Sequence, residues 1–287
     1  MSIVVTGATG QLGRLAVEAL IARGAEPGDI VATGRDAERL AGLAGLGVRT
    51  AVADYSDPAA LDSALAGADK VLLVSGSDVG RRVAQHENVV AAAVRAGVGL
   101  IAYTSIPHAD TAQHALAADH RATERLIRDS GLPFVFLRNS WYLENYLPQV
   151  PTYLEHGVAG AAGDGRISAA TRADFADAAA AALLDPTAAG RVYELGGASF
   201  TLAELATTVA DATGRDVTYT EVSPEQLTAI LVGAGLPQAY AEALVSADLG
   251  IGRGELEVTT GDLERLIGRT PTSLRDALGA SLDSLAA

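Results

Sequence analysis

Short apolar runs alternate with helical patterns through the first half of the chain. Each run is too short for a buried helix and is apolar at successive positions, which is typical of strands covered on both faces of a parallel sheet. The runs lie at residues 3–5, 29–32, 48–53, 71–74, 100–103 and 134–137. Together they predict a buried parallel sheet.

Amphipathic helices are predicted between these runs. After the first run, apolar residues recur at helical spacing from Leu12 to Leu20, and Gly24 closes the helix. After the third run, Ser56-Asp57-Pro58 supplies a capping residue and a first-turn proline. Another helix is expected over 82–95. The alternation continues to about residue 138 and predicts an α/β fold with a doubly wound parallel Rossmann sheet.

The pattern changes after residue 140. Aromatic residues make up only 5% of the chain, yet several cluster over 141–153 without clear periodicity, which predicts a pocket-lining loop. Beyond it we expect an alanine-rich helix over 174–184, a strand over 191–195, a helix over 201–213 with a capping box, and then largely helical structure. The domain prediction is a dinucleotide-binding Rossmann domain over 1–140, to which the strand near 191–195 returns, and a smaller, mainly helical substrate-pocket domain over 141–287.

Composition and charge narrow the classes of function. The 287 residues are 49% hydrophobic and 20% charged, enough for a large globular core. A formal charge of −14 repels phosphate backbones and anionic lipids, so we expect no nucleic-acid partner and no membrane. The chain has no cysteine, which excludes disulfides and thiolate chemistry and suits a cytoplasmic protein. No basic leader precedes the first strand, and no apolar stretch reaches membrane-spanning length.

A glycine-rich turn joins the first strand to the first helix. Glycines at three-residue spacing let the chain turn tightly, let its backbone approach a pyrophosphate and aim the helix amides at that charge. The motif comprises Thr6, Gly7, Ala8, Thr9, Gly10, Gln11, Leu12 and Gly13. Its place at a strand-to-helix junction predicts a dinucleotide site rather than an ordinary tight turn.

Arg35, just after the second strand, bears on the choice of dinucleotide. An acidic residue at this place holds the ribose 2′-hydroxyl of NAD, whereas an arginine pairs with the extra phosphate of NADP. Arg35 therefore favours NADP(H), and the alternative is that Asp36 takes the ribose while Arg35 is solvated. Asp54, which closes the third strand, either reaches the adenine amino group or caps the next turn.

The chain lacks an acid pair that many dehydrogenases use, which narrows the catalytic chemistry. Lys70 is the only lysine and no tyrosine precedes it by four residues, so the Tyr-xxx-Lys acid pair of many dehydrogenases does not exist here. In the segment where that pair usually lies, His120 and Glu124 are one helical turn apart and could share a hydrogen bond. His120 therefore has two possible roles. It is either a proton donor or cofactor-positioning group, or an ordinary residue on a solvated helix face. His108, His114 and His120 recur at six-residue spacing, which matches no known pattern of metal ligands, so we expect no metal site.

Segments spread along the chain resemble one known family, the NmrA-like atypical short-chain dehydrogenases, and within it the bacterial NADPH-dependent quinone reductases. They lie at 6–13, 53–55, 102–105, 137–146, 161–165 and 195–197. The aromatic run Asn139-Ser140-Trp141-Tyr142 is far more specific than the glycines. The resemblance extends over nearly the whole chain.

The resemblance implies NADP(H) as cofactor and assigns further site residues. Residues 6–11 should cradle the pyrophosphate, and Arg35 should hold the 2′-phosphate. The residues expected at the ribose and nicotinamide are Ser75, Gly76, Ser77, Asn139, Ser140, Trp141, Tyr142, Leu143 and Glu144. Arg172 should reach in from the smaller domain.

The chemistry expected from the resemblance is reduction of a quinone by hydride transfer from the nicotinamide. A hydroquinone anion is stabilised by conjugation, so water or a nearby hydroxyl such as that of Tyr142 can protonate it. A simple ketone gives a strongly basic alkoxide and normally needs a dedicated acid. Two alternatives stay open: a redox sensor that binds NADP without turnover, and a reductase of a specialised-metabolite carbonyl, enone or imine. A homodimer is also compatible with the sequence.

Overall fold

Residues 1–78 and 80–286 are described by a computed structural model. In this part of the chain, seven strands form one parallel sheet in the order β3-β2-β1-β4-β5-β6-β8, and β7 pairs with β9 in a second, two-stranded parallel sheet. The strands are β1 (Ile3–Val5), β2 (Ile30–Gly34), β3 (Arg49–Val52), β4 (Lys70–Leu73), β5 (Leu100–Ser105), β6 (Phe134–Asn139), β7 (Val158–Gly160), β8 (Val192–Leu195) and β9 (Tyr219–Glu221). The predicted doubly wound parallel sheet is confirmed.

Helices cover both faces of the large sheet and continue into the C-terminal part. Their bounds are α1 (Gln11–Ala22), α2 (Ala37–Ala44), α3 (Pro58–Leu65), α4 (Arg82–Ala96), α5 (Ala115–Asp129), α6 (Val150–His156), α7 (Arg172–Leu184), α8 (Leu202–Thr213), α9 (Pro224–Gly233), α10 (Gln238–Gly252), α11 (Asp262–Ile267) and α12 (Leu274–Ala286). Helices α1, α2, α7 and α11 pack on one face, and α3, α4 and α5 on the other.

The pleat of the strands explains why both faces are apolar. In β1, Ile3 and Val5 join the core beneath α1 and α7, whereas Val4 joins the core beneath α3 and α4. Successive side chains of a strand point to opposite faces, so a strand covered on both sides has to be apolar at every position. The continuous apolar runs of the sequence follow from this requirement.

Strand β3 departs from the expected burial. The sequence predicted a strand buried on both faces over 48–53, but β3 is the edge of the sheet. Arg49, Thr50 and Val52 are exposed. An edge strand has a neighbour on one side only, and its polar residues keep that edge solvated.

The helix caps follow the sequence signals. The Asp57 carboxylate accepts from the amides of Ala59 and Ala60 at the start of α3. Thr201 and Glu204 form the predicted capping box of α8, each side chain bonding the other's backbone amide. These local interactions fix where the helices begin without help from the rest of the fold.

The C-terminal part builds a second apolar core beside the sheet. Leu147, Phe200, Leu205, Ile251 and Leu278 are among its members, and they come from the segments after β6 and after β8 and from α8, α10 and α12. Helix α7 also follows residue 140 in sequence, yet it packs against α1 on the large sheet. A domain boundary at residue 140 stays a prediction. In the described part of the chain, no helix has the length and apolarity needed to cross a membrane.

A largely buried ion cluster joins four elements at the edge of the sheet next to β8. Arg138 of β6 lies 2.7 Å from Glu124 of α5, 2.9 Å from Glu194 of β8 and 3.0 Å from Asp110. The side chains of Arg138 and Glu124 are each 6% exposed. Ser105, at the end of β5, donates a further hydrogen bond of 2.6 Å to Glu124. The cluster ties β5, β6, β8 and α5 together.

Removing the cation of this cluster should destabilise the fold strongly. Arg138→Met leaves Glu124 buried without its charge partner, so the free energy of unfolding should fall by about 3–5 kcal/mol. Arg14→Met, which breaks the exposed Arg14–Glu18 pair, is the control and should cost less than about 1 kcal/mol. Urea unfolding followed by circular dichroism measures both losses. Equal losses would show that the buried cluster contributes no more than a surface pair.

Candidate active site

A cleft of about 660 Å³ opens at the carboxyl ends of the parallel strands. Ligands bind at this edge in open α/β sheets because the loops that follow the strands converge there. Most of the residues predicted from the sequence line it: Gly7, Thr9, Gly10, Gln11, Leu12, Gly13, Arg35, Asp54, Ser75, Gly76, Ser77, His120, Asn139, Ser140, Trp141, Tyr142 and Arg172. The fold thus brings together residues from widely separated parts of the chain.

The other predicted residues support the cleft from behind its wall. Thr6 is buried, and its hydroxyl donates to the Leu72 carbonyl at 3.0 Å. Ala8 is buried, and Leu143 packs in the second apolar core. The Glu144 carboxylate accepts from the Arg172 backbone amide at 2.8 Å. None of the four lines the cleft.

The glycine-rich turn shows a different need for glycine at each position. Gly7 has a φ of +62°, a conformation that L side chains rarely adopt. A Cβ on Gly13 would lie 2.3 Å from the Gly7 carbonyl oxygen, so only glycine permits this approach of α1 to the turn. Gly10 has an ordinary φ of −85°, and a Cβ there would meet only the Gly7 oxygen, at 3.3 Å. Gly10 therefore needs no unusual backbone angle, and its side chain is limited by the space in front of the turn.

Helix α1 presents its N-terminus to the cleft without a side-chain cap. Its N-cap is Gly10, and its first turn contains no acidic residue. The amides of a helix's first turn have no partner inside the helix, and the helix dipole makes this end partly positive. The turn and the uncapped helix together form a cradle that fits a pyrophosphate.

Two arginines stand at the end of the cleft beyond β2. The side chains of Arg35 and Arg39 line the cleft and are 66% and 71% exposed. Asp36 instead caps α2, accepting from the amides of Glu38 and Arg39, each at 3.0 Å, and it does not line the cleft. The alternative in which Asp36 takes the ribose has no support, because this carboxylate serves the helix.

Asp54 caps the next turn and also lines the cleft, and its contact with adenine stays a prediction. One carboxylate oxygen accepts from the Ser56 amide at 2.7 Å and so caps the turn, as one of the two expectations had it. The other oxygen lies 3.9 Å from the Arg35 guanidinium, and the residue lines the cleft. Asp54 therefore orders the turn and also places a negative charge beside Arg35.

The aromatic segment after β6 forms the opposite wall. The Tyr142 ring packs edge-on against Phe175 with centroids 5.5 Å apart, and the Arg172 guanidinium lies 4.5 Å from its centroid. Burial raises the pKa of Tyr142, although a hydrogen bond from Asn139 and the charge of Arg172 act in the opposite direction. Its phenol is therefore protonated at neutral pH. Arg172 itself is held by Glu144 at 3.5 Å and Asn145 at 2.9 Å.

His120 lies in the cleft wall, but neither expected environment is correct. It does not bond Glu124, whose carboxylate is taken by Arg138 and Ser105; its Nδ1 lies 2.8 Å from the Tyr103 hydroxyl. It is not on a solvated face either, since it is only 7% exposed. Burial, reinforced by the charge of Arg82, holds the pKa of His120 well below its usual range. A neutral imidazole can position a ligand but is not a ready acid. Among the described residues, no three potential ligand side chains group as a metal site would require.

Several cleft residues were missed by the sequence analysis. They are Arg39, Tyr55, Arg82, Gln85, Ile106, Leu116, Asn145 and Tyr240. Arg39 and Asn145 are close in sequence to predicted residues, so proximity could have found them. Tyr240, in the first turn of α10 and 48% exposed, reaches the cleft from a distant part of the chain, and nothing in its local sequence marks it.

Comparison with known proteins agrees with this geometry. The chain is 46% identical to quinone oxidoreductase 2 of Escherichia coli, over 96% of this chain and 97% of the relative. The crystal structure of the NADPH-dependent quinone oxidoreductase of E. coli complexed with NADPH superposes with a TM-score of 0.95 at 44% identity, covering 98% of this chain and 99% of that one.

A second solved structure is also similar over its full length. Triphenylmethane reductase of Citrobacter sp., complexed with NADP(H), superposes with a TM-score of 0.92 at 36% identity, covering 98% of this chain and all of that one, 100%. The family model of the NmrA-like family matches residues 1–276. On the strength of its fold, its cleft and these matches, the chain belongs to the NmrA-like family.

Proposed function

We propose that this protein is an NADPH-dependent oxidoreductase that reduces quinones by hydride transfer. The observation that carries the proposal is the composition of one continuous cleft. One end has an uncapped helix N-terminus and two arginines. The other end has an aromatic wall, where the His120 imidazole and the Tyr142 phenol are both uncharged at neutral pH. The similarity to a quinone oxidoreductase over nearly the full length supports it.

The residues present fit NADPH along the length of the cleft. Residues 7–13 and the α1 amides would hold the pyrophosphate, because Gly7, Gly10 and Gly13 carry no side chain and the α1 N-terminus has no side-chain cap. Arg35 and Arg39 would hold the 2′-phosphate, since guanidinium groups pair well with phosphate oxygens. Segment 75–77 and residues 139–142 would border the nicotinamide. When bound, the nicotinamide supplies a hydride.

The side chains around the acceptor position it and manage one proton. Quinone reduction takes up a hydride and a proton, and the oxygen that gains the electron pair is conjugated, so a weak acid suffices. The Tyr142 phenol is protonated and is our proposed donor, with water as the alternative source. Arg172, 4.5 Å from the Tyr142 ring centroid, stabilises negative charge that develops on the phenol. His120 serves as a neutral positioning group.

The cellular location and the partners are also part of the proposal. We propose that the protein works in the cytoplasm on a small quinone-like molecule, without nucleic acid or membrane. The absence of cysteine and the formal charge of −14 support this setting. A homodimer stays a prediction.

Glycine substitutions should separate binding from folding. Gly10→Val places its side chain in the open cleft, so NADPH affinity should fall by at least about tenfold while the melting temperature shifts by less than about 4 °C. Gly13→Val should lower stability sharply, because its Cβ would overlap the Gly7 carbonyl. Gly28→Val, at an open position outside the cleft, is the control. Fluorescence titration measures the NADPH affinity, and thermal melts measure the stability. An NADPH affinity of Gly10→Val equal to that of the wild type would place the pyrophosphate elsewhere.

Cofactor preference should depend on Arg35. Arg35→Asp should weaken NADPH by about 1.5–3 kcal/mol and change NADH much less, because only NADPH carries the 2′-phosphate. Arg39→Ala should act in the same direction with a smaller loss. Arg125→Asp, on the exposed face of α5, controls for the change in net charge. Titration with both cofactors gives the ratio, and equal losses for NADPH and NADH would contradict the assignment.

The rate of NADPH oxidation should distinguish quinones from ketones and test Tyr142 as the proton donor. Benzoquinone and naphthoquinone should oxidise NADPH, and simple ketones should not. Tyr142→Phe should lower kcat by about tenfold or more with little change in quinone KM, as expected for loss of a general acid. Tyr142→Ala should also raise KM because the ring is removed.

The control for Tyr142 is Tyr146→Phe, which removes a phenol of the same segment that does not line the cleft. An unchanged kcat in Tyr142→Phe would assign the proton to water and leave the residue as a wall. NADPH binding by the wild-type protein with no oxidation by any quinone would reject the proposed reaction and favour the redox sensor.

A further inference from the structure

Both polar groups of the Gly76 backbone are held by side chains of one helix. The Gly76 amide donates to Nε2 of His86 at 2.9 Å, and the Gly76 carbonyl accepts from Nε of Arg82 at 2.6 Å. Arg82 and His86 are one turn apart on α4 and are 7% and 0% exposed. Gly76 lies in the segment that leaves β4 and borders the cleft, outside any helix or strand.

The hydrogen bonds around His86 have a fixed direction. Because Nε2 accepts from a backbone amide, the ring proton of the neutral imidazole is on Nδ1. Nδ1 then donates to the Thr123 hydroxyl at 2.9 Å, and that hydroxyl donates to the Asp119 carbonyl at 2.9 Å. Burial, together with the charge of Arg82, lowers the pKa of His86 to about 3, so this tautomer is kept at neutral pH.

Arg82 is fixed from the opposite side. Its Nη1 forms an ion pair with the Asp119 carboxylate at 3.5 Å, without a hydrogen bond, so α5 contacts both members of the pair, through Asp119 and through Thr123. The neighbouring Ser75 amide donates to the Thr104 hydroxyl at 2.8 Å. Successive backbone groups of the segment are therefore bonded by buried side chains and not by the backbone of a neighbouring strand.

We propose that Arg82 and His86 act as a polar clamp that holds the Gly76 peptide in the conformation in which residues 75–77 receive the cofactor. Neither side chain needs to touch the reacting atoms, so both are positioning residues. The proposal rests on the proposed NADPH binding, but not on the identity of the acceptor. A segment held in its bound conformation loses little entropy when the ligand binds, and loosening it should weaken NADPH affinity.

The test compares two substitutions at the same buried position. His86→Phe keeps the ring volume and removes the acceptor for the Gly76 amide, whereas the side-chain oxygen of His86→Gln can still accept. We expect His86→Phe to raise the Kd for NADPH by about tenfold or more and His86→Gln to stay within about threefold of wild type. Ser168→Ala removes the buried hydrogen bonds of Ser168 with Val258, outside the cleft and the clamp, and it should lower the melting temperature with little effect on Kd.

Fluorescence titration of NADPH and hydrogen exchange of segment 74–78, both well below the melting temperature, give the readouts. The clamp is supported if Kd and exchange rise together in His86→Phe and recover in His86→Gln. It is overturned if His86→Phe lowers only stability, or if Ser168→Ala weakens binding equally. Should His86→Phe fail to fold, Arg82→Met tests the carbonyl side in the same way. Absence of quinone turnover in a wild-type protein that binds NADPH would reject the proposed reaction and leave this result standing.

Discussion

The close approach of α1 to the turn after β1 is the constraint on which the rest of the site depends. Only the missing side chain of Gly13 allows the helix to lie against the Gly7 carbonyl, where a Cβ would be 2.3 Å from the oxygen. This contact brings the uncapped N-terminus of α1 to the carboxyl edge of the sheet. The absence of a side chain at Gly13 therefore sets the position of the anion cradle. It also sets the direction in which a dinucleotide lies across the strands.

Local charge, rather than net charge, prepares the cleft for an anionic cofactor. The chain carries a formal charge of −14, yet Arg35, Arg39, Arg82 and Arg172 all line the cleft. Arg82 and Arg172 are oriented by carboxylates of neighbouring elements, Asp119 and Glu144, whereas Arg35 and Arg39 are mostly exposed. The acceptor end therefore has largely buried cations, and the ribose end has exposed ones, beside Asp54 and Asp36, that are open to a phosphate. The negative remainder of the surface discourages larger polyanions.

Burial sets the protonation states on which the proposed chemistry relies. Desolvation lowers the pKa values of His86 and His120 and raises that of Tyr142, so the imidazoles and the phenol are all neutral at physiological pH. A site of this kind shields and positions more than it delivers protons. That matches an acceptor whose reduced form is a stabilised anion.

The sequence by itself determined most of the large sheet, the positions of helices α1, α3, α4, α7 and α8, and the glycine cradle. These depend on local signals: continuous apolar runs, capping residues such as Asp57 and Thr201, and glycine spacing at a strand end. It also placed Arg35 and the aromatic segment, the latter through family resemblance. Only the tertiary structure decided that β3 is an exposed edge, that Glu124 pairs with Arg138 and not His120, and that Tyr240 and the Arg82–His86 pair reach the cleft and its supporting segment. The physical reason is that partners of buried polar groups and walls of a cleft are chosen by packing between elements distant in sequence, which no local pattern records.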